Sequence, residues 1–240
     1  MSEILMRLDS VKAEIVSAAT NCGRDGSDIE LVAVSKTHPA EKILEVIEAG
    51  QLLFGESRVQ EARGKIPVLP AKARWHFIGH LQKNKIRQAL PLFEMFHGID
   101  SLQLARDMDR IAEECGEHPR VLLEVNVAGE ASKFGFSPDA LRANLEELLG
   151  LNRLQIEGLM TIPPFAEEAE ASRKYFVALR NLRDELQESF KVPLGQLSMG
   201  MSHDYAVAVE EGATIVRVGT AIFGDRSSRE LKTVERFTND

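Results

Sequence analysis

Short β-rich runs alternate with longer helical patterns along most of the chain, and this alternation constrains the fold more than any other feature. Eight runs are predicted as strands, at residues 31–35, 52–55, 75–78, 95–99, 121–127, 155–161, 196–199 and 215–218. Helices are predicted at 40–49, 57–66, 82–91, 101–115, 138–149, 167–189 and 203–211, and a further helix at 2–21 precedes the first strand. This pattern over 240 residues predicts a single α/β (β/α)8 TIM barrel with an extra N-terminal helix. A doubly wound open sheet is the alternative, because one misjudged strand would change the count.

The composition is that of an ordinary globular protein, with 44% hydrophobic and 28% charged residues. No linker-like Pro/Gly/Ser stretch divides the chain, so we expect one domain over residues 1–240. No apolar run approaches the roughly 18 residues of a membrane span, and the mixed charges near the N-terminus do not fit a signal peptide. We therefore expect a cytoplasmic protein without a membrane partner.

Charge and cysteine content narrow the classes of partner. The net charge of −8 argues against a general nucleic-acid binder, but a small anionic ligand responds to local charge. Cys22 and Cys115 lie far apart, with no Cys or His at metal-ligand spacing. Two reduced thiols and no metal site are therefore expected.

Lys36 closely follows the apolar run 31–34 of the first predicted strand. A buried ammonium is costly, so Lys36 either reaches water at the end of the strand or is placed there for chemistry. Active sites of TIM barrels lie at the C-terminal ends of the strands. Lys36 occupies that end of the first strand and is therefore a candidate site residue.

A glycine followed by a hydroxyl residue, Gly219-Thr220, stands where the last predicted strand turns into a helix. Such a turn lets N–H groups and a hydroxyl approach an anion, although helix capping explains the pair equally well. The preceding strand ends in similar chemistry, with Gly200 and with Ser202 as a cap of the helix near residue 203 or as a second phosphate donor. Phosphate sites in barrels recur after strands seven and eight, so Ser202, Gly219 and Thr220 are candidate phosphate contacts.

Arg217 lies inside the last apolar strand, two residues before the glycine of this turn. A guanidinium in such a strand must point into the barrel mouth or pair with a carboxylate. In the first case it would contact a ligand at about the distance that a small phosphorylated ring extends.

Other polar residues near predicted strand ends carry weaker signals. Glu56, Ser57 and Asn126 are of types that more often form caps, turns or solvated charges than sites. His80 is expected at a strand end, and the basic residues that follow it favour a solvated helix face over nucleic-acid contact. No histidine stands beside a serine or cysteine nucleophile in a recognisable motif, so no catalytic triad is predicted.

An amine after the first strand and a phosphate cradle after the last two would face the same ligand, because strands one and eight are neighbours in a closed barrel. This arrangement suggests a Schiff base between Lys36 and a phosphorylated carbonyl compound. Pyridoxal 5′-phosphate (PLP) fits, with its aldehyde on the lysine, its phosphate in the cradle and its pyridine nitrogen in need of a partner. A Schiff-base aldolase of sugar phosphates fits these residues almost as well.

Seven motifs in order resemble those of the YggS-type pyridoxal phosphate homeostasis proteins over nearly the whole chain: LVAVSKTHP, FGESRVQEA, WHFIGHLQKNK, SKFGF, EGLMTI, LSMGMSHD and VRVGTAIFG. That vitamin B6-binding family has a barrel resembling the N-terminal domain of alanine racemase. The resemblance implies PLP bound covalently to Lys36, phosphate contacts at Ser202, Gly219 and Thr220, and Arg217 as the partner of the pyridine nitrogen.

The chain departs from the family pattern at one place. The family commonly has Asn and Tyr after Gly-Glu, where this chain has Ser57 and Arg58. The resemblance therefore assigns no ligand role to the side chain of Ser57.

Arg217 disfavours much of the chemistry for which PLP is used. A guanidinium about 4 Å from a pyridinium repels it by about 4 kcal/mol at an effective dielectric near 20. The ring nitrogen should then stay neutral, which weakens the ring as an electron sink. Racemisation is possible in principle because alanine racemase has the same kind of arginine. Alanine racemase also uses a tyrosine as acid/base, and this chain shows no counterpart of it. Its two tyrosines, Tyr175 and Tyr205, both fall in predicted helices.

We therefore expect a non-catalytic PLP carrier that acts in intracellular PLP homeostasis, by storing the cofactor or delivering it to apo PLP-dependent enzymes. The homeostatic role is implied by the resemblance alone. A PLP-dependent amino-acid racemase is the alternative, and the aldolase is a third reading. Because one chain can assemble the site, we expect a monomer.

Overall fold

The computed structural model of the protein describes residues 2–130 and 132–224. Its strands are β1 (Glu30–Val34), β2 (Leu53–Glu56), β3 (Arg74–Phe77), β4 (Met95–Ile99), β5 (Arg120–Glu124), β6 (Gln155–Met160), β7 (Gln196–Met201) and β8 (Ile215–Val218). Its α-helices are α1 (Glu3–Asn21), α2 (Ala40–Glu48), α3 (Val59–Lys65), α4 (Ile86–Ala89), α5 (Leu102–Cys115), α6 (Pro138–Leu149), α7 (Arg173–Phe190), α8 (Tyr205–Glu210) and α9 (Thr220–Phe223). The eight predicted strands are all present, with bounds within a few residues of the prediction.

The strands pair in sequence order, all parallel, and close into a barrel because β8 pairs with β1. In this closing pair Val32 lies opposite Arg217, and Ala33 lies opposite Val218. The predicted TIM barrel is confirmed, and the open-sheet alternative is wrong. Parts of the predicted domain, residues 1, 131 and 225–240, lie outside the described residues.

Side chains alternate between the barrel interior and the helix-facing surface, as the two-residue period of a strand requires. One apolar cluster fills the interior: Val32, Leu53, Met95, Leu122, Met160 and Ile215, with Ile78 packed against it. A much larger cluster lies between the strands and the surrounding helices. The interior also contains buried polar side chains on β3, β4, β7 and β8, among them His76, His97 and Arg217.

The extra N-terminal helix α1 packs beside the short helix that follows the last strand. The helix that follows β8, α9, has only 4 residues. Helix α1 packs against α9, α8 and α2, and it buries Leu8 and Val11 among its apolar side chains. The Tyr205 hydroxyl, at the start of α8, donates a hydrogen bond to the Glu14 carboxylate of α1. One helix thereby packs against both the first helix after β1 and the last helices of the barrel.

The predicted helices are confirmed in position, and two of them are less regular than predicted. Residues 82–91 form a 3₁₀ turn, Lys83–Lys85, followed by the single turn of α4 instead of one continuous helix. The long predicted helix at 167–189 likewise starts with a 3₁₀ turn, Ala169–Ser172, before α7.

Three expectations about composition can be compared with the described part of the chain. Cys22 and Cys115 are free and exposed. No group of three or more His, Cys, Asp and Glu side chains within residues 2–130 and 132–224 is arranged to hold a metal ion. None of the described helices combines the length and apolar character that crossing a bilayer requires.

Candidate functional site

Lys36 lies two residues beyond the end of β1, at the C-terminal rim of the barrel, and is half-buried. The next residue, Thr37, has a backbone φ of 70°, a left-handed conformation that residues other than glycine rarely adopt. The chain therefore turns sharply at the lysine, and neighbouring groups must hold that turn in place.

A set of ionic side chains from β2 and α3 holds the turn from both sides. Before the lysine, the ammonium of Lys65 donates to the Ser35 carbonyl oxygen at 3.0 Å. After it, the Thr37 amide donates to the Glu61 carboxylate, which also pairs with Lys65. One ammonium thus connects the residues that flank Lys36.

The same cluster contains a carboxyl group without access to water. Glu56, the last residue of β2, is fully buried; its Oε1 accepts from Ser35 Oγ at 2.7 Å and from Lys65 Nζ at 3.1 Å. Its other oxygen, Oε2, has no partner within the described residues. Burial raises the pKa of Glu56 to about 7 against the lowering effect of Lys65, and Glu61 adds to the rise.

The turn after β8 is joined to the end of β7 by one hydroxyl group. Ser202 Oγ accepts from the Gly219 amide at 3.0 Å and from the Ala221 amide at 3.3 Å. The cap of the helix near residue 203, considered for Ser202 from the sequence, is wrong: the N-cap position of α8 is Asp204, and Ser202 caps α9. Two amides converging on one oxygen is also how backbone binds an anion oxygen.

Glycine at 219 allows the turn to lie close to β1. A Cβ at this position would be 3.3 Å from the Val34 Cβ, tighter than nine in ten such contacts. The turn therefore lies against the strand that leads to Lys36. Thr220 is exposed at the rim, beside Gly219.

Arg217 points into the barrel interior and is 4% exposed. Its Nη1 donates to Ser198 Oγ, and its Nη2 donates to the Thr161 carbonyl oxygen at 3.0 Å. Within the described residues it forms no ion pair with a carboxylate. Burial lowers the pKa of Arg217 to about 10, with Glu124 and Asp204 opposing the fall, so the group is charged at neutral pH. The guanidinium has further N–H groups to offer a ligand.

Two buried histidines extend this polar layer across the interior. His97 Nδ1 lies 2.9 Å from Ser198 Oγ, and His97 Nε2 lies 3.0 Å from His76 Nδ1. Burial lowers the pKa of His76 to about 3, and Arg74 and Arg120 add to the fall. The pKa of His97 falls well below its usual value, through burial and then the nearby His76.

The opposite side of the mouth is formed by the ends of β3, β4 and β5. His80 Nδ1 lies 2.7 Å from Asp100 Oδ2, and the His80 ring stacks on Phe134 with centroids 4.0 Å apart. Glu124 ends β5, and burial raises its pKa to about 7; Asp100 adds to the rise, while Arg217 and His80 oppose it. His80 lies after a strand end, as predicted.

The structure brings several of the predicted site residues together. Ser202 and Gly219 are in hydrogen-bond contact. Lys36 follows β1 by two residues, and Arg217 lies on the neighbouring strand β8. Thr220 lies on the exposed edge of the same turn.

Other residues that structure the site were missed from sequence. Glu56 was expected to be a cap or a solvated charge and is instead a buried carboxyl group. Ser198, His97 and His76 were given no role, although each falls on an inward position of its strand. The two-residue period could have found them once the inward face of each strand was known.

The sequence is similar to those of known proteins over most of its length. The family model for the alanine racemase N-terminal domain matches residues 6–227. The pyridoxal phosphate homeostasis protein of Aquifex aeolicus is 44% identical over 221 residues, 92% of this chain and 97% of that protein. The protein of the same name from Escherichia coli K12 is 39% identical over 236 residues, 94% of this chain and 98% of that protein.

A solved structure matches equally broadly. PipY of Synechococcus elongatus PCC7942, determined with PLP bound, superimposes with a TM-score of 0.82 at 41% identity, over 92% of this chain and 100% of that one. The chain therefore belongs to the alanine racemase N-terminal domain family and, within it, to the pyridoxal phosphate homeostasis proteins.

Proposed function

We propose that this protein binds PLP and acts in PLP homeostasis, holding the cofactor through Lys36 for storage or delivery. The name shared by the relatives and the PLP bound to PipY support this assignment. When bound, PLP supplies an aldehyde that forms a Schiff base with an amine, and the Lys36 Nζ is the amine we assign to that bond.

The main support for the proposal is the contact between the ends of β7 and β8 and the neighbouring strand β1. Ser202 Oγ accepts from two amides of the turn at Gly219, and that turn lies against the strand leading to Lys36. Converging N–H groups suit a phosphate oxygen, and a lysine on the adjacent strand end suits an aldehyde on the same small molecule. We therefore assign Ser202, Gly219 and Thr220 to the phosphate.

Arg217 suits a ring nitrogen that stays unprotonated. It carries a charge, is buried, and has only a hydroxyl and a carbonyl oxygen as hydrogen-bond partners within the described residues. A buried guanidinium without a carboxylate partner costs stability, which is understandable if a ligand uses its remaining N–H groups. We assign Arg217 to the pyridine nitrogen.

The function that we propose is that of a carrier and not of a dedicated enzyme. Its relatives are named for homeostasis and not for a reaction. A positive guanidinium beside the pyridine nitrogen disfavours its protonation, and an unprotonated ring stabilises a carbanion less well. Holding and releasing the cofactor requires no such stabilisation.

Cofactor uptake at Lys36 is tested by the visible absorption of purified protein incubated with PLP. We expect a yellow band in the wild type and in Lys72→Ala, an exposed lysine before β3 at the opposite end of the barrel, but not in Lys36→Ala. Borohydride reduction followed by peptide mass spectrometry should identify Lys36 as the modified residue in the first two proteins. A colourless wild type, or a label on another lysine, would contradict the proposal.

Two further measurements separate a carrier from an enzyme. Incubation of the loaded protein with amino acids in deuterated water reports exchange at Cα; exchange over many turnovers that depends on Lys36 would favour the racemase alternative. Transfer of PLP to an apo PLP-dependent enzyme, faster than spontaneous release into buffer, would support delivery.

We also propose that the protein is a monomer located in the cytoplasm. The assigned site residues lie on or just after strands of one chain, which supports a monomer. The free, exposed thiols of Cys22 and Cys115 suit a reducing compartment. Light scattering of the loaded protein and cell fractionation test these two statements.

A further inference from the structure

A continuous row of buried polar groups runs from Arg217 into the barrel. Arg217 Nη1 donates to Ser198 Oγ, Ser198 Oγ lies 2.9 Å from His97 Nδ1, and His97 Nε2 lies 3.0 Å from His76 Nδ1. The side chains of Ser198, His97 and His76 are fully buried. The proposed function gives none of these three residues a contact with the cofactor.

The direction of these hydrogen bonds follows from counting protons. Since Ser198 Oγ accepts from Arg217, its own proton is free to be donated, and its only other partner within the described residues is His97 Nδ1. His97 then carries its proton on Nε2 and donates it to His76 Nδ1. This arrangement leaves a single group without a partner, the His76 Nε2–H.

The reverse direction leaves more groups unsatisfied. If His97 donated to Ser198, the serine proton would have no acceptor within the described residues, and His76 Nε2 would lack a partner as well. Each buried unsatisfied group costs free energy, so the direction from Ser198 to His76 is favoured. Burial and the neighbouring charges lower the pKa of both imidazoles, which favours neutral rings at neutral pH.

We propose that Ser198, His97 and His76 are positioning residues for Arg217, forming a neutral hydrogen-bond chain that fixes the guanidinium toward the ring nitrogen of the bound cofactor. Ser198 Oγ, the first group of the hydrogen-bond chain, accepts from one N–H of Arg217, and the Thr161 carbonyl oxygen accepts from another at 3.0 Å. These two anchors set the plane of the guanidinium. This inference rests on the proposed function and adds to it the groups that control how tightly the ring is held.

The direction of the chain can be tested without cofactor. In protein labelled with ¹⁵N in its histidines, long-range NMR correlations report which ring nitrogen carries the proton. We expect His97 and His76 both to be neutral and protonated on Nε2. A proton on Nδ1 of His97, or a charged ring on either residue at pH 7, would overturn the proposed chain.

The positioning role is tested with cofactor labelled with ¹⁵N at the ring nitrogen. In Ser198→Ala, Arg217 loses one of its two anchors. We expect a changed ring-nitrogen chemical shift and PLP dissociation on the order of tenfold faster than in the wild type, equivalent to about 1.4 kcal/mol. Ser198→Thr keeps the hydroxyl and should restore both values toward those of the wild type.

Ser172→Ala provides the matched control. Ser172 is as buried as a core residue, at 2% exposure, but lies between β6 and α7 and forms no part of the hydrogen-bonded row from Arg217 to His76. It should leave the ring-nitrogen shift and the dissociation rate unchanged.

Failure of this inference differs from failure of the proposed function. A wild type that takes up no PLP would contradict the function, while the histidine measurement would still decide the direction of the chain. A wild type that binds PLP, together with Ser198→Ala that retains the same nitrogen shift and dissociation rate, would overturn the positioning role alone.

Discussion

The buried carboxyl group of Glu56 shows how strongly surroundings can change the behaviour of a single residue. It ends a strand, where a charge would ordinarily reach water, yet the turn of Lys36 and helix α3 cover it completely. Its contacts to Ser35 and Lys65 make it part of the support for the lysine turn. Protonation of Glu56 therefore bears on the stability of the candidate site.

The pH dependence of stability should reveal this group. Because burial raises the pKa of Glu56 in the folded protein to about 7, from an ordinary value of 4.5, the folded state holds the proton more tightly than the unfolded state. Its contribution is fully present below pH 4.5 and is lost as the pH rises toward and through 7. We expect Glu56→Gln to show a smaller loss of unfolding free energy than the wild type between pH 5 and 8, measured by urea denaturation.

Glu48→Gln is the control for this measurement, because Glu48 is exposed at the end of α2. It should retain the pH dependence of the wild type. Equal slopes in the wild type and Glu56→Gln would show that the buried carboxyl group does not titrate in this range.

The chemistry of the site residues could be anticipated from sequence better than their environment. The sequence singled out Lys36 and the Gly219 turn because an amine and a glycine–hydroxyl pair directly follow apolar strands, and Arg217 because a guanidinium is unusual inside one. It could not anticipate the burial of Glu56 or the bond between Ser198 and His97. Those depend on which groups of distant strands face each other, and no local pattern records that.

At the scale of elements, the pairing of β6 with β7 depends on a residue without a side chain. Gly158 lies opposite Gln196, and a Cβ on Gly158 would be 1.9 Å from the Gln196 carbonyl oxygen. A backbone atom at that distance cannot move aside without breaking the ladder between the strands. β7 leads directly to Ser202, so this close approach also bears on the site.

Gly158→Ala should therefore destabilise the barrel by about 3 kcal/mol, the upper end of the usual cost of overpacking. Gly195→Ala, in the loop before β7, is the matched control because a Cβ there meets no heavy atom within 4 Å. Its effect should stay within about 0.5 kcal/mol. Urea denaturation of both variants gives the comparison, and equal stabilities would contradict the importance of the close approach.

The strands were easier to predict than the helices for a physical reason. A strand buried on both faces is a short apolar run with clear ends, and β4 and β8 were predicted with their exact bounds. The segment 82–91 has the composition of a helix, but packing allowed only a 3₁₀ turn and one α-turn there. Tertiary contacts decide such short segments, and local propensity cannot foresee them.

For the whole molecule, we propose that the described chain is one domain. The barrel is closed by β1 and β8, and one apolar cluster runs through the layer between strands and helices. Helix α1 contributes side chains to this cluster, and it contacts both α2, near the start of the barrel in sequence, and α9, near its end. Loss of packing in α1 should therefore weaken the entire barrel.

Leu8→Ala tests this dependence. Leu8 is fully buried in α1, so we expect a loss of about 2–5 kcal/mol of unfolding free energy, in one cooperative transition followed by both fluorescence and circular dichroism. Met6→Ala, at a residue 49% exposed on the same helix, should change stability by no more than about 0.5 kcal/mol. Two separate transitions in the wild type would argue against a single domain.

The pairing of β1 with β8 also has a consequence for how the protein is made. The ribosome synthesises Lys36 early and the turn at Gly219 late, and the two come together only when the last strand closes the barrel. A nascent chain that ends at β7 already carries the lysine but lacks the turn beside it. If the assigned site is the binding site, we expect binding to wait until translation has passed β8 and the barrel has closed.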